Sequence, residues 1–275
     1  MPADTAKSPV IQVRDLTSHY GEYRVLHKIN LDVYPREIVA IMGHSGSGKT
    51  TLFRHLLGLK AASSGDVNIL GQDLSALRKK ELYALRRKIG VAFQNGALFS
   101  SLNVRDNVAL PLREHTRLDN NTIRIMTRMK LDFMKLAEFE ELMPSQLSGG
   151  MLKRAGLARA VVMDPQLLFF DEPSAGLDPV TSAGLDKLIL DLRDALGMTI
   201  VIITHELQSV FNVADRITVL DHGEQIMTGT QAEVRAHDDP RIVNMLNRKP
   251  QDEKFDAEAY IERLTKTSMK GGLSR

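Results

Sequence analysis

The sequence predicts an α/β fold in which a parallel-sheet core is opened by an antiparallel β segment and interrupted by a helical insertion. Three observations carry this. Residues 38–42 (IVAIM) are a continuous apolar run leading straight into a glycine-rich loop and a helix-like stretch at 49–59, a strand, loop, helix order. Two further buried-type strands, 167–170 and 199–204, are separated by an amphipathic helix at 181–196, the pattern of a parallel crossover. From about residue 100 to 144 helical periods replace this pattern, with Met126, Met129, Met134 and Met143 concentrated there.

In chain order, the β-rich runs 11–16 and 25–33 are broken by a turn-like His19-Tyr20-Gly21, which predicts an antiparallel opening. Residues 63–74 read as a turn and a strand, and 89–93 as another strand ending at Gln94. A helix is expected at 151–163, a hairpin at 216–228 around Asp221-His222-Gly223, and two short helices within 231–247. In the charged tail, Ala257, Tyr260, Ile261 and Leu264 recur at i, i+3, i+4 and i+7, either one face of a docking helix or part of a frayed terminus.

Composition narrows the function classes. The 275 residues are 43% apolar, and 36 basic against 34 acidic side chains leave a net charge of +2, which gives no general reason to bind nucleic acid or a membrane surface. The absence of cysteine excludes disulfides, thiolate metal sites and cysteine nucleophiles. No apolar run approaches the roughly 20 residues that span a bilayer, and the first residues lack the pattern of a secretory signal, so the expected compartment is the cytoplasm.

The chemistry begins at Gly43-His44-Ser45-Gly46-Ser47-Gly48-Lys49-Thr50, a phosphate-binding loop in its expected strand-to-helix context. Glycines let successive N–H groups turn inward toward phosphate oxygens, and the helix starting near Gly48 adds its positive end. Lys49 then reaches the β and γ phosphates, and the Thr50 hydroxyl suits Mg²⁺. Asp171 and Glu172 end a buried strand at the sheet edge where α/β folds place ligands. Strand alternation sends the two acids to opposite faces, so Asp171 suits the Mg²⁺ shell and Glu172 the attacking water. His205 ends a second buried strand at the same edge, within reach of a γ-phosphate, and the amide of Gln94 can touch Mg²⁺ or water. Ser148 can cap a helix whose first amides, at Gly149 and Gly150, make a second anion-binding start.

The ordered set of phosphate loop, Gln94, Leu147-Ser148-Gly149-Gly150, Asp171-Glu172, Asp178 and His205 resembles the ATP-binding-cassette (ABC) ATPases over about residues 10–247. The resemblance implies a RecA-like P-loop NTPase core at about 10–99 and 160–247, an inserted helical subdomain at about 100–159, and a tail at 248–275 outside the 1–247 ATPase domain. It implies ATP and Mg²⁺ as ligands, with Gly43, Ser45, Gly46, Ser47, Gly48, Lys49, Thr50 and Thr51 around the nucleotide and Glu172, His205 and Gln94 as catalytic groups. Tyr20, followed by Gly21 as in the family, becomes the aromatic that stacks on adenine, with Tyr23 as its rival. Residues 174–178 become the loop that communicates across a head-to-tail dimer, in which each ATP lies between one P-loop and the partner's Ser148-Gly149-Gly150. Met151 stands where many members carry Gln, a change that leaves the phosphate-facing amides intact.

Residues 93–102, 107–116 and the run Met151 to Ala155 are similar to one branch, the ATPases of Mla-type lipid transporters associated with MCE proteins. That likeness implies lipid transport through a separate permease at the cytoplasmic face of the inner membrane, an MCE lipid-binding protein, sometimes a STAS-domain partner, and no nucleic acid. The Met-rich insert then either lines the permease groove or packs internally. The alternatives are another ABC importer or lipoprotein-extraction system, a soluble ABC ATPase acting on ribosomes or DNA, and a nucleotide-binding regulator without turnover.

Overall fold

Buried Ile11, Val13 and Leu16 face buried Leu26, Ile29, Leu31 and Val33 across an antiparallel hairpin, β1 (Ile11–Tyr20) and β2 (Tyr23–Val33), in a computed structural model that describes residues 8–248. The first strand outruns its sequence-based limit of 16. Register shifts along it and a φ of 46° at Asp15 bend it without ending it, as bulges do. The turn therefore falls at Gly21 and Glu22 and not at 19–21: His19 pairs with Arg24, and Tyr20 with Tyr23.

β3 (Ile38–Met42) is buried along its whole length and feeds the loop before α1 (Lys49–Leu56). The helix stops short of residue 59 because Gly58 adopts a left-handed φ of 63°. β4 (Ser64–Ile69) and β5 (Gln72–Asp73) complete a four-stranded sheet in the order β2-β1-β4-β5. α2 (Lys79–Arg86) has no sequence-based counterpart; Leu85 is its one buried residue, so no apolar period announces it. β6 (Ile89–Ala92) follows, ending two residues before Gln94, which therefore sits in a loop and not at the strand end.

The insertion contains α3 (Val104–His115), α4 (Asn120–Phe133) and, after two short 3₁₀ turns, α5 (Gly149–Val161). Asn107 fastens it to the loop after Gln94. Its fully buried amide donates to the carbonyls of Phe99, Leu102 and Asn103, and its oxygen accepts from the Phe99 N–H. Of the four methionines, Met134 is buried and Met126 packs against the same core, whereas Met129 is exposed.

β7 (Leu167–Asp171), α6 (Pro179–Leu196), β8 (Thr199–Ile203), α7 (Leu207–Val213), β9 (Arg216–Asp221), β10 (Glu224–Thr230) and α8 (Gln231–Ala236) complete the first of two compact units, which ends at His237. The six-stranded sheet runs β10-β9-β3-β8-β7-β6, parallel except at β10. Alternation along its strands divides the apolar residues between two cores. Leu168, Phe170, Ile200 and Ile202 pack with Val108, Leu131 and Leu157 of the insertion, and Leu167, Phe169, Val201 and Ile203 pack with α1 and the four-stranded sheet. In the second unit, α9 (Pro240–Leu246) is capped by Asp239 and buries Ile242 and Met245. The apolar face expected at Ala257, Tyr260, Ile261 and Leu264 lies outside the described residues.

Candidate active site

The carboxyl ends of β3, β7 and β8 lie side by side, so the segments that follow them converge on one cleft. His44, Ser45, Gly46, Gly48, Lys49, Thr50, Thr51, Gln94, Asp171, Glu172 and His205 line it, with Val25 and Ile203, around a volume of about 730 Å³. Residues separated by up to 180 positions in the chain, Val25 and His205, thus meet in one place.

The phosphate loop depends on Gly48, whose φ of 101° is left-handed and whose missing Cβ would lie 2.7 Å from Leu26 Cδ2. Gly48 is also the N-cap of α1 and offers no side chain to its first amides, which leaves them for an anion. Lys49 is almost buried and donates from Nζ to the carbonyls of Gly43 at 2.6 Å and His44 at 2.8 Å, folding the loop around its ammonium. Burial pulls its pKa down, against the charges of Glu172 and Asp171. Ser47 Oγ is buried in the loop without a hydrogen-bond partner.

Asp171 closes β7 with its carboxyl pushed upward, first by burial and then by the Glu172 charge, while Lys49 opposes the shift. Glu172 does not continue the strand. Its φ of 48° turns the backbone, and its N–H donates to the Ile203 carbonyl at 2.7 Å, so both acids line the same cleft and the opposite-face expectation fails. Each Glu172 oxygen is held: Oε2 accepts from Thr204 Oγ1 at 2.8 Å, and Oε1 lies 2.8 Å from His205 Nδ1. The carboxylate has no hydrogen to give, so Nδ1 carries it. His205 therefore first serves the acid beside it, and its Nε2 lies 3.8 Å from Glu206 Oε1, beyond hydrogen-bonding distance.

Two residues that sequence reasoning passed over belong to this region. Thr204 was visible only as the residue before His205. Lys153 is 6% exposed, and its Nζ donates to the carbonyls of Glu172, Pro173 and Ala175 at 3.1, 2.7 and 2.6 Å. A lysine on a helix carries no sequence signal of such burial.

The other expected residues stand apart from the cleft. Ser148 caps α5, accepting from the Met151 N–H at 3.3 Å. A Cβ on Gly150 would meet Thr181 Cγ2 at 2.6 Å, so only glycine lets the start of α5 approach α6 this closely. Asp178 caps α6 by accepting from the Val180 and Thr181 N–H groups, and the Thr181 side chain first, then these backbone contacts, lower its pKa. Tyr20 is 45% exposed, its hydroxyl accepts from Arg54 at 3.1 Å, and Lys60 Nζ lies 4.0 Å from its ring centroid; Tyr23 is 75% exposed.

Thr50, Gln94 and Asp171 bring hydroxyl, amide and carboxylate oxygens to one cleft, the hard donors that suit Mg²⁺ beside phosphate oxygens. No group of three or more His, Asp or Glu side chains able to hold a metal by themselves occurs among the described residues.

The family model described as ABC transporter matches residues 26–175. The intermembrane phospholipid transport system ATP-binding protein MlaF of Haemophilus influenzae is 39% identical over 258 residues, covering 93% of this chain and 98% of its own. The probable ribonucleotide transport ATP-binding protein mkl of Mycobacterium leprae is 40% identical over 237 residues, 86% of this chain and 68% of its own. Among solved structures, the dimeric post-hydrolysis state of an ATP-binding cassette bound to ADP and Pi superposes with a TM-score of 0.73 at 31% identity, covering 80% of this chain and 98% of that one. This chain is therefore a member of the ABC transporter ATPase family, with its nucleotide-binding fold and ATP-hydrolysing activity.

Proposed function

We propose that this chain is the ATP-hydrolysing subunit of an Mla-type phospholipid transporter, working as a head-to-tail pair beneath a separate permease. The observation that carries the reading is the convergence of Lys49, Thr50, Gln94, Asp171, Glu172 and His205 on one cleft. Lys49 and the amides after Gly48 receive the phosphates, with Ser45, Gly46 and Thr51 around them. Thr50, Asp171 and Gln94 hold Mg²⁺, which when bound draws charge from the phosphoryl oxygens. Glu172 accepts a proton from water as the water oxygen attacks the γ-phosphorus and the bond to ADP breaks. Thr204 and His205 keep that carboxylate aimed, and in its doubly protonated form His205 also donates from Nε2 to the γ-phosphate. Tyr20, braced by Arg54 and Lys60, is the adenine platform.

Ser148, Gly149 and Gly150, with Asp178 capping the helix that Gly150 abuts, meet the nucleotide of a second copy, a reading supported by the dimeric relative. The permease helix is assigned to a cleft of about 890 Å³ between α2, β6 and the ends of α3 and α5. Apolar Ile89, Val91, Phe93 and Met163 line it beside Lys79, Arg86 and Arg159, with no acid in the lining, so it suits an apolar helix carrying acidic residues. Met163 contributes there; Met126, Met129, Met134 and Met143 do not. The proposed division is an ATPase domain at 1–247, with its helical subdomain at 100–159, and a tail at 248–275. An MCE protein, and in some systems a STAS partner, completes the complex at the cytoplasmic face of the inner membrane. No helix among the described residues is long and apolar enough to cross a membrane, consistent with a peripheral subunit.

Purification in mild detergent followed by mass spectrometry of bound proteins and lipids tests the assignment. Recovery of a permease, an MCE protein and phospholipid is expected. A ribonucleotide-transporting permease would favour the activity named for the mycobacterial relative, and recovery with ribosomes alone would reject transport.

A further inference from the structure

The buried ammonium of Lys153 has three N–H donors, and three carbonyls receive them, those of Glu172, Pro173 and Ala175. No carboxylate is within ion-pairing distance of it among the described residues, so its charge is spent on backbone oxygens. A lysine taken out of water for backbone alone is costly, and methionine would fill the same volume more cheaply. The segment it grips is the turn after β7, where Glu172 holds a left-handed φ of 48° that a non-glycine residue seldom adopts. A change in that φ would swing the carboxylate away from Thr204 and His205. Lys153 sits on α5, one turn beyond the helix start at Ser148, Gly149 and Gly150. Further along the same helix Arg159 donates to the Gly96 carbonyl at 3.1 Å, in the loop that holds Gln94. One helix therefore grips the backbone beside both Glu172 and Gln94 while presenting its start to the neighbouring copy.

We propose that Lys153 is a positioning residue for hydrolysis, fixing the turn that aims Glu172 and joining that turn to the helix whose start receives the partner copy's nucleotide. The inference rests on the assignment of Glu172 to the attacking water. Closure on the partner's nucleotide moves α5, and Lys153 carries the displacement to the backbone of residues 172–175. It is not among the residues that line the cleft, so it acts on turnover and not on affinity.

The test compares wild type, Lys153→Gln and Lys153→Met in the full chain, purified with whatever membrane subunits accompany it. Turnover, KM for ATP, binding of a fluorescent ATP analogue and melting temperature are measured for each. The expected order of kcat is wild type, then Gln, which keeps two donors, then Met, at least tenfold down, with KM and analogue affinity within threefold throughout. Should Met cost the fold, Lys153→Gln decides alone by a lower kcat at unchanged KM. Wild-type kcat in the folded variants, or kcat, affinity and melting temperature falling together, would overturn the proposal. Glu172→Gln in parallel separates the two claims: wild-type turnover there removes the assignment of the acid itself, whatever Lys153 does.

Discussion

His205 Nδ1 lies 2.8 Å from Glu172 Oε1, and the neighbouring Thr204 hydroxyl holds the other oxygen of the same carboxylate at 2.8 Å. Adjacent residues leaving β8 thus grip one acid leaving β7. Replacing Thr204 by Val keeps the shape and removes two hydrogen bonds, the one given to Glu172 and the one accepted from the Glu206 N–H at 3.1 Å. Its expected effect is a fall in kcat of about tenfold, the scale at which misplaced catalytic groups are felt, with KM for ATP nearly unchanged. Steady-state kinetics distinguish this from a general loss of affinity.

Asp171 shows the cost of preparing a site before its ligand arrives. Burial, and then the neighbouring Glu172 charge, raise its pKa, so ionising Asp171 costs more in the nucleotide-free fold than in the unfolded chain. A raised carboxyl pKa stabilises the fold below the unfolded value and withdraws that help as pH rises through the folded value. Asp171→Asn is therefore expected to raise the melting temperature of protein kept free of nucleotide and Mg²⁺, as thermal melts beside the wild type would show. The same variant is expected to lose Mg²⁺-dependent ATP hydrolysis.

His55 on α1 is buried, its Nδ1 is bonded to the Lys60 carbonyl at 2.9 Å, and its Nε2 has no hydrogen-bond partner. Burial lowers its pKa, partly against the Lys60 carbonyl. A lowered histidine pKa gives stability that is complete above the unfolded value, about 6.5, and is lost as pH falls below it toward the folded value. Melting temperature is expected to drop on acidification through that window. His55→Asn, which keeps a donor for Lys60 and does not titrate, is expected to reduce the drop, as thermal melts across pH would show.

Much of this site was legible because phosphate chemistry leaves local patterns. The run from Gly43 to Thr50, with its apolar strand before and helix after, names its own geometry. Asp171 was legible as a strand end, and Gln94, Glu172 and His205 as residues close after one, which a parallel sheet gathers at one edge. Alternation misled at Glu172, because a left-handed residue ends the strand there and only tertiary contacts hold it. α2 was invisible for want of an apolar face. The turn after Tyr20 was misplaced because bulges let the strand outrun its pattern. Lys153 was hidden for a different reason: burial of a cation by three backbone carbonyls depends on where a distant turn passes, and nothing in its own neighbourhood records that.

The central claim, that Glu172 activates water between a P-loop and a second copy's α5, is tested most directly with Glu172→Gln. Gel filtration with ATP and Mg²⁺, run beside an assay of phosphate release, gives both readouts. The account predicts a variant that binds ATP, accumulates as a stable dimer and releases almost no phosphate. Hydrolysis at the wild-type rate, without dimer accumulation, would contradict it.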